Sequence, residues 1–109
     1  MSQVLAMNSK QLKERMDRGD DIFLLDVRED WERSLASIEG SEHIPLMEVA
    51  DRVQEFQFEE EIVVYCHHGV RSHHAAMILL ESGFKKVHNL TGGIDAWSQI
   101  VDPSVPRYR

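Results

Sequence analysis

The stretch Ile62-Val63-Val64-Tyr65-Cys66-His67-His68-Gly69-Val70-Arg71-Ser72 decides the fold. Four apolar or aromatic residues, largely β-branched, run into the only cysteine of the chain. Such a run reads as a buried strand, and the polar, glycine-containing loop after it leads to Ser72, a candidate helix N-cap. Ala75, Ile78 and Leu79 then recur at helical spacing, widened by Ala76 and Leu80, until Gly83 stops the pattern. Strand, tight loop and helix in that order put a thiol at the C-terminal edge of a strand, the edge where open parallel α/β sheets build their sites. The thiol would face loop amides, the positive end of the helix dipole and the guanidinium of Arg71, all of which favour negative charge on sulfur.

Working outward, Gln3 to Met7 reads as a short first strand, and Asn8 as an N-cap with Gln11 as its capping-box partner. Leu12 and Met16 share one face of the helix that follows, and Gly19 ends it. Ile22 to Val27 is a near-continuous apolar run, suited to a central parallel strand covered on both faces. Asp26, Arg28 and Glu29 lie at its C-terminal end, the same edge as Cys66. Between Glu29 and Ser41, Trp31 and Leu35 hint at a short helix that Gly40 breaks. His43-Ile44-Pro45-Leu46 fits a short edge strand; Val49, Val53 and Phe56 fall at helical spacing; Glu59-Glu60-Glu61 reads as a solvated turn. Val87 to Leu90 is a last strand, Thr91-Gly92-Gly93 a turn, and Ile94 to Ile100 a final helix carrying Trp97. Pro103 and Pro106 mark an irregular tail. The alternation predicts an α/β three-layer sandwich with a mostly parallel, about five-stranded sheet flanked by helices.

At 109 residues the chain is expected to form one domain, residues 1–109. A net charge of −7 argues against nucleic acid or an anionic membrane surface as partner. No apolar run nears the roughly 20 residues needed to span a bilayer. The first residues lack the basic and apolar regions of a signal peptide, and one cysteine excludes an internal disulfide; cytoplasm is the expected location.

The segments Asp26-Val27-Arg28-Glu29, His43-Ile44-Pro45-Leu46, Cys66 to Ser72 and Thr91-Gly92-Gly93-Ile94-Asp95-Ala96-Trp97 together resemble the rhodanese family, in order and spacing over nearly the whole chain. The resemblance looks like a stand-alone single-domain member. It implies a five-stranded parallel sheet and sulfurtransferase chemistry through a persulfide on Cys66, with a donor such as thiosulfate and a thiophilic acceptor: cyanide, a thiol or a carrier protein. It also implies that loop side chains point away from the sulfur, so that His67 and His68 shape the pocket mouth while Gly69, Val70 and Ser72 contribute to the cradle. Neither metal nor organic cofactor is required.

Four residues separate Cys66 from Arg71. Related cysteine phosphatases and arsenate reductases need one more, so the short loop suits a single terminal sulfur better than a tetrahedral oxyanion. A third reading is a non-enzymatic module that binds a partner or senses redox state. Cys66 could also be a buried small hydrophobe, as most free cysteines are. Arg71, an ordinary surface ion pair in the plainer reading, is positioned to hold an anionic donor. Asp26 and Arg28 are expected to pair locally as supporting residues. Trp31 and Trp97 are expected in the core or on its flank. His67, His68, His73 and His74 crowd the cysteine without zinc-like spacing, and adjacent histidines should diverge; they are not expected to hold a metal.

Overall fold

The computed structural model describes residues 3–57 and 60–109. Five strands, β1 (Leu5–Met7), β2 (Phe23–Asp26), β3 (Glu42–His43), β4 (Glu61–Tyr65) and β5 (Lys86–Leu90), form one sheet in the order β1-β5-β4-β2-β3. All four pairings are parallel. The helices are α1 (Ser9–Asp17), α2 (Asp30–Leu35), α3 (Leu46–Val49), α4 (Val70–Glu81) and α5 (Gly93–Ile100), with a 3-10 segment, Ala50–Glu55, after α3.

The strand's two-residue period divides the core. Along β4, Ile62 and Val64, with Cys66 just beyond, pack with α4, α3 and the 3-10 segment on one face. Val63 and Tyr65 pack with Leu12 of α1 and Ile94 and Trp97 of α5 on the other. Residues 62–66 are at most 1% exposed, which explains why this strand reads as an unbroken apolar run rather than an alternating one. Trp97 is buried, whereas Trp31 lies on the flank, 57% exposed.

Several local expectations are met. Asn8 accepts from the Gln11 N–H at 2.8 Å while the Gln11 side chain accepts from the Asn8 N–H at 2.8 Å. Other details differ. The N-cap of α4 is Gly69 at φ +114°, not Ser72, which lies inside the helix and is fully buried. His43 ends β3; Pro45, lacking an N–H, caps α3 instead of continuing a strand, while Ile44 and Leu46 still donate to the Asp26 and Val27 carbonyls at 2.9 and 3.0 Å. Glu61 is not solvated: it opens β4, with a side chain 19% exposed, and holds Arg15 and His88. Glu59 falls outside the described residues. Met16 faces solvent, whereas Leu12 is buried.

At the C-terminal end of β2 the backbone turns around a buried ion pair. Arg28 donates from Nε and Nη2 to Asp26 at 2.9 and 2.8 Å, both side chains fully buried. Its Nη2 also reaches the Ala36 carbonyl at 2.6 Å, fastening the chain that follows α2. Tyr65, from β4, donates to the same carboxylate at 3.2 Å. Burial by itself would raise the Asp26 carboxyl, but the Arg28 guanidinium and N–H hold it below its ordinary 3.8. A carboxyl depressed by folding stabilises fully above its unfolded value and loses that contribution as pH falls below it. Asp26→Asn should therefore lower the unfolding free energy at neutral pH by roughly 3–5 kcal/mol, the cost of stranding a buried charge. Denaturant titrations should also show a shallower loss of stability below about pH 4 in the variant than in the wild type.

Candidate active site

Cys66 sits one residue beyond β4, 1% exposed. The loop after it curls so that two backbone N–H groups point back at the sulfur: Gly69 at 3.1 Å and Ser72 at 3.4 Å. The Ser72 hydroxyl lies 3.3 Å from Sγ and donates to Asn89 Oδ1 at 2.5 Å. Asn89, near the end of β5, donates in turn from its amide to the Gly69 carbonyl at 2.9 Å. The left-handed φ of Gly69 permits the reversal that brings its N–H inward.

The carbonyls on the outer side of the loop have partners of their own. The first free N–H groups of α5 take them: Ile94 donates to the Cys66 carbonyl at 2.9 Å and Asp95 to that of His67 at 3.2 Å. This approach requires Gly93, because a Cβ there would collide with the carbonyl oxygens of Cys66 (2.5 Å) and His67.

Arg71 leaves the first turn of α4 and meets Glu32, donating from both Nη atoms at 2.6 and 2.9 Å. Glu32 is 2% exposed, whereas Trp31 and Leu35, the residues that suggest α2 in the sequence, are 57% and 50% exposed. The helix is present with the opposite face inward. The Tyr108 hydroxyl donates to Glu32 Oε2 at 2.6 Å and accepts from Arg28 Nη1 at 2.9 Å. The Glu29 N–H donates to Glu32 Oε1 at 3.1 Å, half of a capping box. Burial would raise the Glu32 carboxyl; the Arg71 guanidinium and the Tyr108 hydroxyl hold it down at about 2. Burial and the hydrogen bond to Glu32 push the Tyr108 phenol up to about 12. Carboxylate and phenol thus keep opposite protonation states across the neutral range.

His67 does not diverge from His68: their rings lie 4.0 Å apart, and His67 stacks on Tyr108 at 4.0 Å and 11°. Desolvation and then the neighbouring His68 push the His67 imidazole down, favouring the neutral ring; its Nε2 is buried without a hydrogen-bond partner. His68 is 64% exposed at the mouth, and His73, His74 and Val70 face solvent. Among the described residues no three His, Cys, Asp or Glu side chains gather to hold a metal ion.

The predicted site residues Cys66, Gly69 and Ser72 thus converge, Arg71 reaches a carboxylate beside them, and the Asp26–Arg28 pair joins the same edge through Tyr108. Glu32, Asn89 and Tyr108 are absent from the sequence-based set. Asn89 could have been found, since it stands at the C-terminal edge of a predicted strand. Glu32 and Tyr108 meet across 76 residues, a pairing that no local pattern signals.

The chain has known relatives. The chain is 38% identical over 97 residues to the putative sulfur carrier protein YrkF of Bacillus subtilis, a match covering 89% of this chain and 52% of that protein. It is 32% identical over 97 residues to the thiosulfate sulfurtransferase GlpE of Pseudoalteromonas translucida, covering 89% and 91%. It therefore spans about half of the first relative and nearly all of the second. A solved structure, the rhodanese-related protein of Thermoplasma volcanium, superimposes with a TM-score of 0.81 at 29% identity over 95% of this chain and 99% of that one. Residues 8–100 match the family described as Rhodanese-like domain, and the chain belongs to that family.

Proposed function

We propose that this protein is a sulfurtransferase that carries sulfane sulfur on Cys66. The observation that carries the reading is the convergence of the Gly69 and Ser72 N–H groups on the Cys66 sulfur, with the Cys66, His67 and Gly69 carbonyls bonded elsewhere. Relatives named sulfurtransferases support it. The thiolate attacks the outer sulfur of a donor such as thiosulfate, the S–S bond of the donor breaks, and sulfite leaves with the bonding pair. Cys66 then bears a persulfide whose terminal sulfur is anionic. Amides fixed in advance stabilise that charge without reorganising, as an oxyanion hole does. A thiophilic acceptor, whether cyanide, a small thiol or a carrier protein, attacks the terminal sulfur and restores the thiolate. Because these 109 residues hold no second cysteine, the acceptor comes from outside them. The cycle balances without metal or organic cofactor. A free thiol with this role suits a reducing compartment such as the cytoplasm, and no helix among the described residues is long and apolar enough to cross a membrane.

Treating the purified protein with thiosulfate should add the mass of one sulfur atom, and cyanide should remove it as thiocyanate. Cys66→Ser should show neither. Thiocyanate formation by that variant at the wild-type rate would sink the persulfide reading.

The loop length separates this reading from a phosphatase. Four residues between Cys66 and Arg71 leave little room for a phosphoryl group in line with the sulfur, and a misplacement of about 1 Å can cost about 100-fold in rate. Hydrolysis of an aryl phosphate by the wild-type protein should thus fall at least about 100-fold below its sulfur transfer under matched conditions. Cys66-dependent phosphate release as fast as thiocyanate formation would favour the phosphatase instead.

A further inference from the structure

The loop's own cation is not free. Both Nη atoms of Arg71 are committed to Glu32, whose side chain is 3% exposed. Glu32 cannot readily swing away, because it also accepts from the Tyr108 hydroxyl and the Glu29 N–H. Tyr108 is held in turn by Arg28, itself fixed on Asp26. On the other side of the loop the Arg107 guanidinium is likewise matched, bonded to Asp95 at 2.9 Å. A donor approaching Cys66 therefore meets backbone amides, the His67 and His68 rings at the mouth and a guanidinium–carboxylate pair whose own charges cancel.

Resting on the sulfurtransferase reading, we propose that Glu32 is a specificity-determining residue: by neutralising Arg71 it biases the Cys66 pocket toward monoanionic sulfane-sulfur donors, such as thiosulfonates and organic persulfides, and away from the thiosulfate dianion. The low titration range of its carboxyl keeps Glu32 charged across the neutral range. Its negative charge opposes each unit of donor charge, so a dianion is penalised about twice as much as a monoanion at the same distance. The sulfur chemistry is identical for the two classes. Thiosulfate gives the Cys66 persulfide and sulfite; methanethiosulfonate gives the same persulfide and methanesulfinate.

The test compares those two donors, with cyanide as the common acceptor and kcat/KM read as thiocyanate formed. Glu32→Gln should move the thiosulfate-to-methanethiosulfonate ratio of kcat/KM about tenfold toward thiosulfate, chiefly through KM. Arg71→Ala, which leaves Glu32 unopposed, should move it the opposite way, and the double variant should recover most of the difference. A merely structural role would slow both donors together and leave the ratio unchanged, and that result overturns the proposal. Wild-type protein supplies an arm that needs no variant. Between about 20 and 300 mM salt its KM for thiosulfate should not rise, whereas a free guanidinium would make it climb more steeply for thiosulfate than for the monoanion; such a climb also overturns the proposal. Should neither donor add sulfur to Cys66, the persulfide reading itself fails and this inference with it. Sulfur loading from both donors with an unmoved ratio removes the inference alone.

Discussion

The structure depends on the seam where the N-terminus of α5 meets the carbonyls of the cysteine loop. A peptide plane carries its N–H and C=O on opposite sides, so amides can converge on a sulfur only if the opposed carbonyls find donors elsewhere. Ile94 and Asp95 donate to the Cys66 and His67 carbonyls and Asn89 to that of Gly69, so the His67, His68 and Val70 N–H groups that share those peptide planes face the opposite, inner side of the loop. Gly93 lets the helix come close enough, and Gly69 lets the loop reverse. The sheet serves this seam directly: β4 and β5 are hydrogen-bonded neighbours, so the loop after one and the helix after the other begin side by side. Parallel pairing brings both strand ends to the same edge.

A second layer of the site is electrostatic. From Asp26 through Arg28, Tyr108 and Glu32 to Arg71, charges of opposite sign and one phenol alternate in hydrogen-bond contact. The run ties β2, α2, α4 and the C-terminal tail together. It is poorly solvated, since Arg28, Asp26 and Glu32 are each at most 2% exposed. Such a run is costly to break at one point, because each removed member strands its neighbour. Both carboxyls titrate below their ordinary values, so the run stays ionised at neutral pH and weakens only in acid. The charge of this run is thereby fixed rather than adjustable.

Much of the fold was legible in the sequence because its signals are local. The apolar runs of β2 and β4, the Asn8–Gln11 capping box and the single cysteine before a glycine-containing loop are short-range patterns, and each led to the element found. The errors share the opposite cause. Trp31 and Leu35 were natural anchors for α2, yet the helix buries Glu32, because a carboxylate with Arg71, Tyr108 and an N–H as partners tolerates burial better than sequence hydropathy suggests. Ser72 is a good N-cap type, but Gly69 holds that position because the left-handed turn is needed three residues earlier. Tyr108 lay in a tail read as irregular; its partners Arg28 and Glu32 are 80 and 76 residues away. Periodicity reports which face of an element is apolar and is silent about polar groups matched across the fold.

The central claim, that the α5 seam aims the loop amides at Cys66, is most directly tested by the rate of sulfur loading on Cys66 in a Gly93→Ala variant. It is to be followed by intact mass at a temperature where circular dichroism shows the variant folded. A methyl group at this position must push the Cys66 and His67 carbonyls away and so displace the loop that presents the Gly69 N–H to the sulfur. Loss of fixed donors of this kind costs on the order of 100-fold, so loading should slow by about that factor. A folded Gly93→Ala protein that loads sulfur at the wild-type rate would contradict the account.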